Sequence, residues 1–244
     1  EAGAAAVVRA AGGSRAAAAG LAAAAPRAVG KDMVMEPFST EEQATIADAI
    51  GAAERKTSGE IVVVVANASG GYFTYALVWA AVAALLVPWP LIYETAWPIE
   101  HIYLAQLGVF ALGAVLTQWD ALRFAIVPKA IKRTRAHRKA VEQFLAQNLH
   151  TTEGRTGVLI YVSFAEHYAE LIADDGIYKK VPLAMWEGVV ETLTQHLGHG
   201  ERVKGFVGAI EACGLLLAEH FPPGRGDQNE LPNHLIVLDA RWNP

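Results

Sequence analysis

The chain has 244 residues, of which 53% are hydrophobic and 18% charged, and its formal net charge is −5. Globular domains carry about 25% charged residues, so this chain is short of charge and too apolar to be disordered throughout. Cys213 is the single cysteine, which excludes an intrachain disulfide scaffold. The acidic balance argues against a protein held on nucleic acid by net charge.

Residues 1–35 are rich in alanine and are interpreted as an N-terminal extension. They carry Arg9, Arg15 and Arg27 but lack the continuous apolar core of a secretory signal. An organelle-targeting segment and a loosely held alanine helix both remain open for this stretch.

A helix and a strand follow the extension. Ser39 and Glu42 have the spacing of a capping box, which predicts a helix from Ser39 to Lys56. Glu60 then precedes a run of isoleucine and valine, residues 61–65, bounded by turn residues. Such a run is typical of a buried strand.

Two uncharged stretches come next, Tyr72–Tyr93 and Ile102–Trp119. As helices rising about 1.5 Å per residue, they are long enough for a bilayer core of about 30 Å. Pro88 and Pro90 are expected to kink or end the first one. We therefore predict a transmembrane hairpin within residues 72–127. Two buried helices of a soluble core are the alternative, although soluble helices normally keep a polar face.

The flanks of the predicted hairpin differ in charge. The connecting segment 94–101 holds Glu94 and Glu100 and no basic residue. Cytoplasmic flanks carry the excess of lysine and arginine, so the short acidic loop is expected on the side away from the cytoplasm. No aromatic residues alternate with the basic run as in a nucleic-acid patch, and we expect it to contact anionic lipid headgroups. Its basic residues are Lys129, Lys132, Arg133, Arg135, Arg138 and Lys139.

The second apolar stretch also carries small residues. Small side chains let membrane helices approach one another closely. This surface is predicted to pack against helices of a larger membrane complex. Its members are Ala105, Gly108, Ala111, Gly113 and Ala114.

The remainder of the chain alternates helices and strands. Without the hairpin, this order predicts a small α/β sandwich with helices over a mixed sheet. The sandwich is one domain, residues 36–71 and 128–239, split by the hairpin, and residues 240–244 are the C-terminal end. The predicted elements are a helix over 128–149, strands over 158–162 and 168–173, a turn over 174–176, helices from Pro182 and over 202–220, and a strand over 235–238.

Three segments, Ser58–Val64, Thr156–Ser163 and Asp174–Ile177, resemble the TPM-domain family of thylakoid lumen proteins, photosystem II repair factors and bacterial membrane proteins. A bacterial subgroup is similar in having a membrane hairpin here, a basic helix like Arg133–Arg138 and a tail like Asn229–Pro232. The resemblance implies an α/β sandwich in a bacterial membrane protein. With the charge of the flanks, we expect the bacterial inner membrane, with the sandwich facing the cytoplasm. It also implies either phosphatase activity or a role in the assembly or repair of membrane complexes.

The candidate chemistry is acidic. Asp174 and Asp175 follow a predicted strand, Glu60 begins another, and Arg155 precedes a third. Asp174, Asp175 and Glu60 could hold Ca²⁺ or Mg²⁺, which prefer oxygen ligands. Asp174, Asp175 and Arg155 would then act on a bound phosphate. The alternative is that Asp174-Asp175-Gly176 is only a turn, since aspartate and glycine favour that geometry.

Two functions are therefore predicted. The first is a membrane-anchored accessory or assembly factor, which needs no catalytic residues. The second is a membrane-tethered, divalent-cation-dependent phosphatase for phosphomonoesters. His167, which follows Glu166 in a predicted turn, is a further candidate for acid–base chemistry, with a plain turn residue as the alternative. Cys213 lies on the apolar side of a helix and is expected to be an inert core thiol.

Overall fold

The computed structural model describes residues 6–9, 38–152, 154–224 and 230–238. The strands are β1 (Ala6–Arg9), β2 (Glu60–Ala66), β3 (Gly157–Ser163), β4 (Tyr168–Ala173) and β5 (Leu235–Leu238). The helices are α1 (Thr40–Glu54), α2 (Phe73–Leu86), α3 (Pro88–Glu94), α4 (Ile99–Leu116), α5 (Asp120–Ile126), α6 (Lys129–Ala146), α7 (Asp175–Tyr178), α8 (Leu183–Gly198) and α9 (Arg202–His220), with a 3₁₀ turn at Leu149–Thr151.

The fold is α/β with a mixed sheet, as the sequence predicts. Four strands lie in the order β4-β3-β2-β5, and β1 pairs antiparallel with β4 at the edge. Strands β3, β2 and β5 are parallel, whereas β4 runs antiparallel to β3. Val64 lies opposite Tyr161 in the parallel pair. The neighbours β2 and β3 are thus separated in the chain by helices α2–α6.

Helices α1, α8 and α9 cover one face of the sheet. Alternate residues of β2 and β3, such as Val63 and Ile160, point into this core with the fully buried Trp186 and Phe206. The predicted capping box is present, since Ser39 and Glu42 each accept the other's backbone N–H. These two bonds fix the start of α1 as predicted.

Helix α6 covers the opposite face. Its buried Ala140 and Phe144 pack with Leu159 of β3 and Ile172 of β4. Leu149 follows in the 3₁₀ turn and contacts Gly157, where an added Cβ would come within 2.5 Å of the Leu149 carbonyl oxygen. Helix α6 therefore runs along the sheet towards the start of β3.

Several elements differ from prediction. Helix α4 begins at Ile99, three residues early, because Pro98 forms its N-cap and Glu100 suits a helix N-terminus. Helix α6 ends at Ala146, short of the predicted residue 149. The predicted turn at 174–176 is the start of the short helix α7, because the Asp174 side chain caps it. The extension contains strand β1 rather than a helix there, and most of it lies outside the described residues.

The two apolar stretches form an exposed helical pair. The segments Phe73–Glu94 and Ile99–Leu116 are long and apolar enough to cross a membrane, and only 17% and 6% of their most apolar windows is buried. The first segment breaks between α2 and α3 at Val87, immediately before Pro88, as the prolines predict. Large side chains such as Trp79 and Leu85 are exposed, so these helices do not form the core of the α/β fold.

Candidate functional site

The predicted acidic residues lie at the end of the sheet opposite the helical pair. Glu60 is paired in register with Gly157 at the start of the parallel strands. The Asp174 N–H donates to the Gly157 carbonyl at 2.9 Å, which places Asp174 at the same end. Helix α2 leaves from the other end, after Ala66 of β2.

Asp174 is buried, and both of its carboxylate oxygens contact neighbouring residues of the fold. Its side chain is 1% exposed, and Oδ1 accepts the Asp175 N–H at 2.6 Å to cap α7. Its Oδ2 lies 3.5 Å from Arg155 Nε. Arg155 has a φ of +56°, and an added Cβ on Gly176 would come within 2.6 Å of the Arg155 carbonyl oxygen. The loop that contains Arg155 therefore packs tightly against the start of helix α7.

The other predicted metal ligands point to different partners. Asp175 pairs with Lys179 at 2.6 Å on the surface, and Glu60 Oε1 accepts the Glu230 N–H at 3.1 Å. Within the described ranges, no three His, Cys, Asp or Glu side chains group so as to hold a metal ion. The structure therefore does not bring Asp174, Asp175 and Glu60 together as a cation site.

A carboxyl group that the sequence did not single out lies beside Glu60. Glu54, at the end of α1, accepts the Ile61 N–H at 2.9 Å. Burial, with a smaller contribution from the charge of Glu60, raises the pKa of Glu54 to about 8. Glu54 is therefore largely protonated at neutral pH.

A second polar cluster lies at the end of the sheet from which α2 leaves. Its centre is Glu166, in the turn between β3 and β4, which is 7% exposed. Glu166 Oε1 accepts the Tyr72 hydroxyl at 2.7 Å and the Ser69 N–H at 2.9 Å, and Oε2 accepts the Ser163 hydroxyl. We call these residues, with Tyr161, the Glu166 cluster.

Hydroxyl groups extend the cluster into the sheet. Ser69 Oγ donates to Ser163 Oγ at 2.8 Å and lies 2.8 Å from the Tyr161 hydroxyl. Because a serine hydroxyl has one proton, Tyr161 is the donor to Ser69. Burial raises the pKa of Tyr161, so the phenol remains protonated. The chain of donors thus ends on the Glu166 carboxylate.

Two basic side chains, Lys132 of α6 and His167 of the turn, lie beside this cluster. Burial lowers the pKa of Lys132, although the nearby Glu166 acts in the opposite direction. Burial and the charge of Lys132 lower the pKa of His167, which favours the neutral imidazole at pH 7. His167 also has a φ of +50°.

Arg135 joins α6 to the start of α2. Its guanidinium donates to the Gly71 carbonyl and lies 5.0 and 5.1 Å from the ring centroids of Tyr72 and Tyr75. Cations over aromatic faces gain about 0.5–2 kcal/mol. Tyr72 also packs edge-on against Phe124 of α5, with centroids 5.1 Å apart.

The six basic residues predicted to face lipid therefore divide into two groups. Lys132, Arg135 and Lys139 are partly buried, and Lys139 pairs with Glu142 at 3.2 Å. The physical reason is helical spacing, which places these three on one face of α6. The exposed members are Lys129, Arg133 and Arg138.

The small residues of α4 divide in the same way. An added Cβ on Gly113 would come within 2.7 Å of Ala80 Cβ, so Gly113 lies in the contact between α2 and α4. Gly108 would meet nothing within 4 Å, and Ala111 is also exposed. Ala105 and Ala114 are partly buried. Only Gly108 and Ala111 remain fully open to a partner.

Comparisons with known proteins support the fold. No family model matches the chain, and no curated protein matches it either. The solved NMR structure of BA42, a protein from the psychrophilic bacterium Bizionia argentinensis, is similar with a TM-score of 0.54 and 22% identity. The match covers 84% of this chain and 98% of BA42. At this identity the similarity shows a shared fold.

Proposed function

We propose that this chain is a membrane-anchored accessory factor for the assembly or repair of a larger membrane protein complex. The observation that carries the proposal is the exposed apolar pair Phe73–Glu94 and Ile99–Leu116, inserted between two neighbouring strands of one sheet. So large an exposed apolar surface is unfavourable in water and is typical of a membrane or protein interface.

The attachment of the pair to the sheet supports the same role. Tyr72 and Arg135 tie the start of α2 to the turn at Glu166 and to α6. A protein bound along the hairpin would thus be held at a defined position relative to the α/β domain. By the charge of the flanks, the domain lies on the cytoplasmic side of a bacterial inner membrane, in keeping with the TPM-like segments.

A membrane-tethered phosphatase is the second candidate. The ion pair of Arg155 and Asp174 favours it, with Arg155 at a φ of +56°, because strained backbone at residues other than glycine recurs at functional sites. Its support is thinner, since Asp174 caps α7 and Glu60 holds the Glu230 N–H. A cation would have to compete with both contacts.

One preparation tests both candidates. Membranes containing the full chain are washed with alkaline carbonate and solubilised in mild detergent, and the proteins that remain bound are identified. The wild type is compared with D174N/D175N. Retention in the washed membrane and the same stable partner complex with both chains would support the accessory role.

The phosphatase candidate is measured on the same samples. Phosphomonoester hydrolysis is assayed without metal, with Mg²⁺ and with Ca²⁺. Turnover that needs the cation and is lost in D174N/D175N would replace the accessory role with the enzyme. Release of the wild type by carbonate would reject membrane anchoring for both.

A further inference from the structure

The basic residues of α6 are not equivalent in position. Arg135, in the second turn of the helix, contacts Tyr72 and Tyr75 at the start of the first apolar segment. One turn earlier, Lys132 Nζ lies 6.0 Å from the ring of Phe124 in α5. The first two turns of α6 therefore lie beside the point where the apolar pair meets the α/β domain.

The rest of α6 leads away from that boundary. Leu149, just beyond the helix, contacts Gly157 at the start of β3. The boundary is at the other end of β3, where Ser163 meets Ser69. At about 1.5 Å per residue, Arg138 lies about 7 Å further along the helix than Arg133. That difference is close to the screening length of about 8 Å at physiological ionic strength.

Two exposed cations remain at the boundary itself. Lys129 and Arg133 are both exposed, and neither forms an ion pair with any of the residues that the structure describes. Neighbouring Lys132 and Arg135 instead lie over the rings of Phe124 and Tyr72. Two unneutralised cations beside an apolar segment of bilayer length complement the phosphates of an anionic leaflet.

We propose that Lys129 and Arg133 bind the phosphate of anionic lipid headgroups, whereas Lys132 and Arg135 hold the hairpin and Arg138 lies about one screening length further away, where its attraction to the headgroups is weaker. This inference rests on the proposed membrane anchoring. It assigns five of the six basic residues to three roles, whereas the charge of the run alone would treat them alike; the sixth, Lys139, pairs with Glu142.

The test uses the full chain in mild detergent with added phosphatidylglycerol or phosphatidylcholine. Native mass spectrometry counts the lipid molecules retained. K129Q/R133Q is compared with K56Q/R138Q, which removes the same charge from two exposed positions away from the boundary. Apparent Tm without lipid confirms that both variants are folded.

The wild type should retain phosphatidylglycerol in preference to phosphatidylcholine, and high salt should weaken that preference. Each cation removed from the boundary should weaken retention about fivefold, and the control pair should retain as much as the wild type. Equal retention of both lipids by the wild type, or equal losses in both double variants, would overturn the inference. Membrane anchoring is judged separately by carbonate extraction, so the two failures are distinguishable.

Discussion

The Tyr72 hydroxyl donates a 2.7 Å hydrogen bond to the Glu166 carboxylate, and this bond joins the first apolar helix to the turn between β3 and β4. Tyr72 is 1% exposed and Glu166 is 7% exposed. A buried carboxylate is costly unless its lone pairs are satisfied. The hydrogen bond therefore offsets part of the cost of burying Glu166 and fixes the position at which α2 begins.

We expect Tyr72→Phe to lower the stability of the protein. The phenyl ring keeps the packing on Phe124, but Glu166 loses a donor, which costs about 1–3 kcal/mol for a buried group. A double-mutant cycle with Glu166→Gln, read as apparent Tm in detergent, should give a coupling energy above about 0.5 kcal/mol. Tyr178→Phe, at a residue 48% exposed, is the control and should change little. Additive effects of the two variants would show that the bond contributes nothing.

Arg135→Lys should loosen the link between β2 and α2 although the charge is kept. A lysine cannot place a planar guanidinium over two rings while bonding the Gly71 carbonyl. Backbone hydrogen exchange should rise several-fold across residues 67–75 and remain unchanged in β4. The matched exposed variant, Arg133→Lys, should leave this segment protected. Unchanged exchange in Arg135→Lys would contradict the role of the guanidinium.

Gly113→Ala should destabilise the helical pair, whereas Gly108→Ala should not. The new methyl group at Gly113 would lie 2.7 Å from Ala80 Cβ, while at Gly108 it meets nothing within 4 Å. Overpacking of this kind costs about 1–3 kcal/mol. Thermal unfolding in detergent should show a lower Tm for the first variant only. Equal Tm values would mean that α2 and α4 are not packed through these residues.

Stability should decrease as the pH rises from about 5 to 8, because the pKa of Glu54 is raised to about 8 in the folded chain. In this interval the unfolded chain releases the proton while the folded chain retains it, so the unfolded state is favoured with rising pH. Because the Glu54 side chain is only partly shielded from water, the effect is smaller than the full pKa shift would give. We expect the free energy of unfolding to fall by about 2 kcal/mol. Glu54→Gln should flatten the pH dependence of Tm between pH 5 and 8. If Tm changed equally with pH in the wild type and the variant, Glu54 would not be the source of the pH dependence.

Strands and capped helices were predictable because their signals are local. Runs of β-branched residues between turn residues located β2 and β3 to within a residue, and Ser39 with Glu42 marked the start of α1. Helix α7 was missed because a four-residue helix has no periodic pattern, and its start depends on the Asp174 cap.

The Glu166 cluster was not predictable because its members are distant in the chain. Ser69 and Glu166 are 97 residues apart. They meet only because Ala66 and Ser163 end two strands in parallel register. No window of sequence contains that pairing. In the basic run, likewise, charge alone could not show that Arg135 contacts Tyr72 whereas Arg133 is exposed.

The central strands β2 and β3 pair along their whole length, yet residues 67–156 lie between them. During translation β2 therefore leaves the ribosome long before its neighbour exists. At about 5–20 residues per second, this apolar strand waits about 5–20 s. The helical pair is synthesised within that interval, so it is complete before the sheet can close. The order in which the parts of this fold are completed is thus set by its own topology.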